Sequence, residues 1–163
     1  MGAVVIPLLI VLLTGDVSLG WGLPFPLDLL PPLAGAVSIA IGLILMYRTI
    51  TLFARIGKGT LAPWDPTQRL VVRGPYRHVR NPMISGVMFI LLGEACLVGS
   101  IPLLIWFGVF SALNAIFIPL IEEPDLERRF GADYRDYKRA VPRWLPRARP
   151  VEWESTREQR EEA

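Results

Sequence analysis

The sequence predicts an all-α integral membrane protein with three to four transmembrane helices and a cytoplasmic C-terminal helical tail. Three observations lead there. The 163 residues are 52% hydrophobic with a mean hydropathy of +0.42, and the apolar residues come in blocks, not dispersed as in a soluble core. Leu33 to Ala54 and Ile101 to Ile121 are each long enough to cross a hydrocarbon layer of about 30 Å at ~1.5 Å per residue. Lysine and arginine concentrate in the 55–81 loop and after residue 127, whereas the connections 14–32 and 99–100 carry none. By the positive-inside bias, both basic regions face the cytoplasm. With four spans the N-terminus is cytoplasmic too; with three it lies outside.

In chain order, the first apolar segment runs over about 3–23. Ala3 to Leu13 alone is too short to span, and the extension to Leu23 carries Asp16, so it is either a span with a polar end or a half-inserted helix. It lacks a basic leader and a small-residue cleavage site, which argues for a retained segment. Pro24 to Pro32 is a proline-broken loop. The second span, 33–54, carries Gly35, Ala36, Ser38, Ala40 and Gly42, small residues that let helices approach closely in lipid. Arg48 near its end can snorkel toward phosphates. After the turn-rich 55–81 loop come spans at 83–98 and 101–121, joined by Gly99-Ser100. Leu126, Phe130, Tyr134 and Tyr137 then recur at helical spacing, a one-sided stripe that can lie on a membrane or cap a site. Residues 1–150 read as one membrane domain and 151–163 as a charged, disordered tail.

Two polar patches border the apolar runs. One is Arg73-Gly-Pro-Tyr-Arg-His-Val-Arg-Asn-Pro82; the other is Glu122-Glu-Pro-Asp-Leu126. If the intervening segment makes a hairpin, they meet on one side of the bilayer. An acidic pair at a helix C-terminus opposes the macrodipole at about 0.3–1 kcal/mol per charge. Interfacial pairing with Arg77, Arg80, Arg128 and Arg129 offsets that cost, and so does a cationic ligand. S-adenosylmethionine carries a sulfonium and an ammonium, and its carboxylate needs cations or backbone donors. Asn81 and Pro82 suit a helix start, whose N–H groups cap locally or hold such an anion. Tyr76 can stack on adenine. Gly86, one turn in, leaves bare backbone either for a ligand or for a neighbouring helix.

The remaining polar residues have plainer roles. Glu94 lies deep in its span, where an ionisable group must face protein or water; a hydrogen bond to a neighbouring span is the favoured role. His78 fits a solvated loop, and Cys96 fits packing. No metal-ligand cluster, phosphate loop or nucleophile triad is present. Beside a span, the basic loop meets anionic lipid more simply than nucleic acid.

Leu70-Val-Val-Arg-Gly-Pro-Tyr-Arg-His-Val-Arg-Asn-Pro82, then Gly86, Glu122-Glu123, Phe130-Gly-Ala-Asp-Tyr134 and Val141-Pro-Arg143 together resemble the isoprenylcysteine carboxyl methyltransferase family, within the membrane phospholipid methyltransferases. The likeness covers roughly residues 60–147. It implies a membrane enzyme that takes S-adenosylmethionine from the cytosol and a lipophilic acceptor from the bilayer. Carried over by position, the cofactor contacts are Gln68, Arg69, Leu70, Val71, Tyr76, Asn81, Pro82, Met83, Ile84 and Glu122, to which the reading of the residues themselves adds Gly86 and Glu123. Arg80, Glu122 and Arg143 are the residues expected at the chemistry, with the arginines, Arg77 included, orienting an acidic acceptor or the cofactor carboxylate. Three positions depart from the family pattern: Asn81 stands for a frequent histidine, Ile84 for an aromatic, and Ile118 for an arginine of the eukaryotic enzymes. Methyl transfer is therefore better supported than a prenylcysteine acceptor. Two other classes share parts of the pattern: an NADPH-dependent membrane reductase of the sterol or polyprenyl type, and a non-catalytic membrane partner protein.

Overall fold

The structure, a computed structural model, describes residues 3–56, 70 and 72–153. Among them every regular element is helical: α1 Val5–Thr14, α2 Leu30–Ile56, α3 Pro82–Val98, α4 Ile101–Phe117, α5 Glu123–Phe130 and α6 Ala132–Ala140. Two helical stretches are long and apolar enough to cross a membrane, Leu27–Leu52 and Ile101–Phe130. The 17 residues of α3 reach about 25 Å.

The first apolar segment is not one helix. α1 has ten residues, about 15 Å or half a hydrocarbon core, so of the two alternatives for 3–23 the helix has the length of the half-inserted one. The cause is local. Gly15 turns left-handed at φ 62° and its N–H closes on the Val11 carbonyl, a conformation that costs glycine nothing. The chain then doubles back onto the α3–α4 corner, where Ser18 N–H donates to the Val98 carbonyl (3.0 Å) and Trp21 Nε1 donates to the Cys96 carbonyl (3.2 Å).

α2 and α3 form the core as an antiparallel pair with a glycine seam. A Cβ on Gly42 would sit 2.6 Å from the Gly86 carbonyl oxygen, and one on Gly93 would sit 2.6 Å from that of Gly35. Contacts seven residues apart on both helices keep the seam in register, and between them Ser38 Oγ donates to the Phe89 carbonyl (2.7 Å). One more step reaches Thr49 and Val79, both fully buried. The C-terminal end of α2 therefore lies beside the start of α3. α4 returns after Gly99, whose φ of 68° makes the tight corner expected there. Its outer side, with Ile105, Val109, Leu113 and Ile116 exposed, is an apolar surface of the kind that faces hydrocarbon.

The amphipathic stripe packs inward. Tyr134 and Tyr137, each 3% exposed, join Val72 and Val141 in a cluster against which Leu70, Leu126, Phe130, Val151 and Trp153 pack. Trp153 meets Tyr137 edge-on at 5.8 Å, so packing continues past residue 150; residues 154–163 lie outside the described part.

Candidate functional site

The two polar patches meet. Arg80, the residue before the α3 cap, places Nη1 2.8 Å from Glu123 Oε1, so the start of α3 and the far end of the α4 rod share one end of the bundle. What turns Glu123 inward is a π-helical turn over Ile118–Glu122. Pro119 has no N–H to continue the α-helical ladder, and the Glu123 N–H closes on the Ile118 carbonyl five residues back. The added residue per turn rotates the following side chains, a device often found at functional sites. The glutamates thus do not sit at a helix C-terminus, as expected, because the rod runs on through α5. The helix macrodipole is not what they oppose.

Glu123 is 1% exposed and fully engaged. Arg143 grips it as a fork, Nε to Oε1 at 2.8 Å and Nη2 to Oε2 at 3.0 Å, and Lys138 Nζ lies 3.2 Å from Oε2. Burial alone would raise its pKa, but the hydrogen bonds from Arg143 and Lys138 and the charges of Arg80 and Arg143 outweigh it, so its carboxyl stays below the ordinary carboxylate value. Glu122 differs in every respect. It is half-buried and makes no hydrogen bond or ion pair with the described residues. Burial first, and the charge of Glu123 second, raise its pKa.

Around this pair the other expected residues fall into groups. Tyr76 lies close enough that Glu122, after burial, helps raise its phenol pKa; its carbonyl accepts the Tyr137 hydroxyl (2.9 Å). Tyr134 is pushed up to about 12, by burial first and Glu123 second, against the opposing charge and hydrogen bond of Arg80. Asn81 occupies the cap position of α3 without a side-chain cap bond; only its carbonyl takes part, accepting the Ser85 N–H (2.9 Å). The first-turn amides of Met83 and Ile84 are thus left without a side-chain cap, and Pro82 is buried beside them. Arg80 keeps a buried Nε with no acceptor, although only a tenth of its side chain is exposed.

Some expectations land elsewhere. The bare face of Gly86 is covered by α2, where a Cβ would lie 3.0 Å from the Gly42 carbonyl and from Met46, so of its two roles the structure shows helix packing. Leu70 packs on the tyrosine cluster. Gln68, Arg69 and Val71 lie outside the described residues. Arg143 serves Glu123, and Arg77 Nε donates to the Val151 carbonyl (2.6 Å). His78 stays partly exposed and is tied down, its Nδ1 donating to the Arg147 carbonyl (2.7 Å). The hydrogen bond expected of Glu94 is not formed, and its Oε2 is buried without a partner. One contributor was not anticipated, Lys138. It lies one turn after Tyr134 of the stripe, but nothing local says that it reaches back to Glu123.

The arrangement offers a free carboxylate for a cation, and a buried guanidinium N–H with uncapped helix amides for an anion. No group of three or more histidine, cysteine or acidic residues among the described residues is placed to hold a metal. A family model described as phospholipid methyltransferase matches residues 31–133, well over half of the chain. No curated protein and no solved structure matches it.

Proposed function

Since the chain belongs to the phospholipid methyltransferase family, we propose that it transfers the methyl group of S-adenosylmethionine to a lipophilic acceptor at the cytoplasmic face of a membrane. Residues 1–150 act as one multi-pass domain in this reading. The observation that carries it is the split between the twin glutamates. Glu123 is neutralised by three cations, while Glu122 stays half-buried with no hydrogen-bond or ion-pair partner among the described residues. A carboxylate left in that state is stabilised by a cationic ligand.

The residues present fit this cofactor. Glu122 faces the sulfonium or ammonium. Arg80 Nε and the first-turn amides at Met83 and Ile84 hold the carboxylate. Tyr76 lies against the nucleoside. Arg143 and Lys138 are positioning residues that hold Glu123 and, through it, Arg80. When bound, the cofactor supplies an activated methyl group, so the protein's task is to align donor and acceptor and exclude water. A carboxylate acceptor needs no general base, whereas an amine or thiol needs deprotonation. The acceptor in this reading is an isoprenylcysteine-like acid or another lipid, of which the acid meets that condition as it stands.

Calorimetric titration of the purified protein with S-adenosylmethionine, S-adenosylhomocysteine and NADPH tests this, together with mass spectrometry of membrane lipids exposed to methyl-labelled cofactor. Binding of both adenosyl ligands and a labelled lipid are expected. NADPH binding alone would turn the reading to a reductase. No binding and no labelled lipid would leave a non-catalytic partner protein.

A further inference from the structure

Against the Gly74–Arg77 turn lies a hollow, not lined by Glu122, that the proposed chemistry does not use. It is a cleft of ≈ 560 Å³ between the last turns of α2, the Gly74–His78 stretch and the prolines of the C-terminal segment. Its lower wall is apolar, made by Ile44, Leu45 and Leu52; its rim is cationic, made by Arg48 and Arg77 beside His78. From this geometry we propose that the cleft is a binding site for an anionic phospholipid, with the headgroup phosphate on Arg48 and an acyl chain running along Ile44 and Leu45.

Charge and depth both select this occupant. The Arg48 guanidinium makes no hydrogen bond or ion pair with a described residue, although it stands in an apolar helix long enough to cross a membrane. Arg77 commits Nε to the Val151 carbonyl, which fixes its guanidinium on the rim and leaves its terminal nitrogens for an anion. Ile44 lies one turn before Arg48 on the same face, about 6 Å further into the apolar layer. An anion alone would leave that apolar wall wet, and a zwitterionic lipid would bring its own ammonium beside Arg48 and Arg77. A lipid with a negative headgroup satisfies both. The rim is also prepared in advance. Arg147 N–H donates to the His78 carbonyl (3.0 Å) and Val151 N–H to the Arg77 carbonyl (3.1 Å), so the C-terminal segment braces the turn that carries Arg77 and His78. The inference needs only that α2 lies in a bilayer, and stands whether or not Glu122 binds a methyl donor.

The test uses the full chain in nanodiscs and native mass spectrometry of the lipid it retains, phosphatidylglycerol against phosphatidylcholine. The wild type is expected to retain phosphatidylglycerol with at least a tenfold preference. Arg48→Gln is expected to cut that preference to threefold or less, Arg48→Lys to keep most of it, and Arg135→Gln, an exposed cation on α6, to leave it unchanged. If Arg48→Gln does not fold, loss of preference on filling the apolar wall with Ile44→Trp serves in its place. Equal retention of the two lipids overturns the proposal, as does an Arg48→Gln variant with unaltered preference. Displacement of the lipid by millimolar inorganic phosphate would assign the rim to a free anion and overturn it too.

Discussion

The α2/α3 seam and the cluster around Glu123 are both buried, and opposite means hold them. The seam is backbone against backbone, with glycine carbonyls where side chains would be. It contains no charge and has no slack. The cluster is nearly all charge, one carboxylate held by Arg80, Lys138 and Arg143, and it has slack by design of its parts: an unused Arg80 Nε and an unpaired Glu122 next to it. The seam fixes where α3 begins, and the cluster decides what is presented there. Spare polar valence at the end of a rigid seam is a place for a ligand.

Breaking the cluster gives the largest effect. Glu123→Gln leaves Arg80 buried without its counter-charge, and losing one partner of a buried pair costs about 3–5 kcal/mol. Partial exposure of Lys138 and Arg143 places the expected loss near the lower end, about 3 kcal/mol. Thermal unfolding of the detergent-solubilised protein at pH 7 reads it. The same variant checks the pH dependence. The folded pKa of Glu123 lies below its ordinary value of 4.5, so its stabilisation is complete above that value and is lost as pH falls below it, through the folded pKa. The wild type should lose stability in that window more steeply than Glu123→Gln; parallel curves would remove the depressed carboxyl from the argument.

Breaking the seam comes next. Gly42→Ala sets a Cβ against the Gly86 carbonyl and Ile90, and overpacking of that kind costs about 1–3 kcal/mol. Gly108→Ala on α4 is the control: nothing lies within 4 Å of the new methyl, and alanine in a helix interior gains roughly 0.5–1 kcal/mol over glycine. Opposite signs for two identical substitutions in apolar helices would show that the seam, not glycine content, sets the packing. Equal signs would refute the seam.

How far the sequence foretold this contrast depends on range. The seam was legible in part, because Gly35 and Gly42 announce a close-packed face, but a ligand and a helix make the same demand on Gly86, and only the partner decides. The meeting of the two patches followed from hydropathy blocks and a glycine corner. The split between Glu122 and Glu123 did not. It depends on a π turn that Pro119 induces and on Lys138, Arg143 and Tyr134 returning from the far side of Gly131, contacts that no local pattern encodes. The first apolar segment was legible only as two alternatives, because apolar composition on both sides of Asp16 allows a span or a half-length helix, and the left-handed Gly15 is what ends the helix.

Glu122 sharpens the comparison because its loss should cost no stability. Glu122→Gln removes a charge with no partner among the described residues and a raised pKa, so the unfolding midpoint should stay at wild type or rise slightly while S-adenosylmethionine affinity falls tenfold or more, about 1.4 kcal/mol. The sign with pH is fixed. Burial and Glu123 raise the Glu122 pKa in the free protein; a cation favours the ionised form, so binding releases a proton and weakens as pH falls through the raised value. S-adenosylhomocysteine, which lacks the sulfonium, should show a shallower slope if that group is what Glu122 faces. Calorimetry in two buffers of different ionisation enthalpy measures the released proton, and Glu122→Gln should release none.

The smallest effect probes the join between the loop and the cluster. The Tyr137 hydroxyl donates to the Tyr76 carbonyl at 2.9 Å, while its ring stays among Tyr134 and Trp153. Tyr137→Phe keeps the ring and deletes the donor, so about 0.5–1.5 kcal/mol of stability is expected to go. Because Tyr76 stands next to Glu122, the loss should also reach ligand binding, as a several-fold weakening with the protein still folded. A variant that loses stability but binds as tightly as wild type would mean that the Gly74–Arg77 turn is held from the α2 side, where Leu52 and Gly74 line the same cleft. Tyr76 would then be placed independently of the tyrosine cluster.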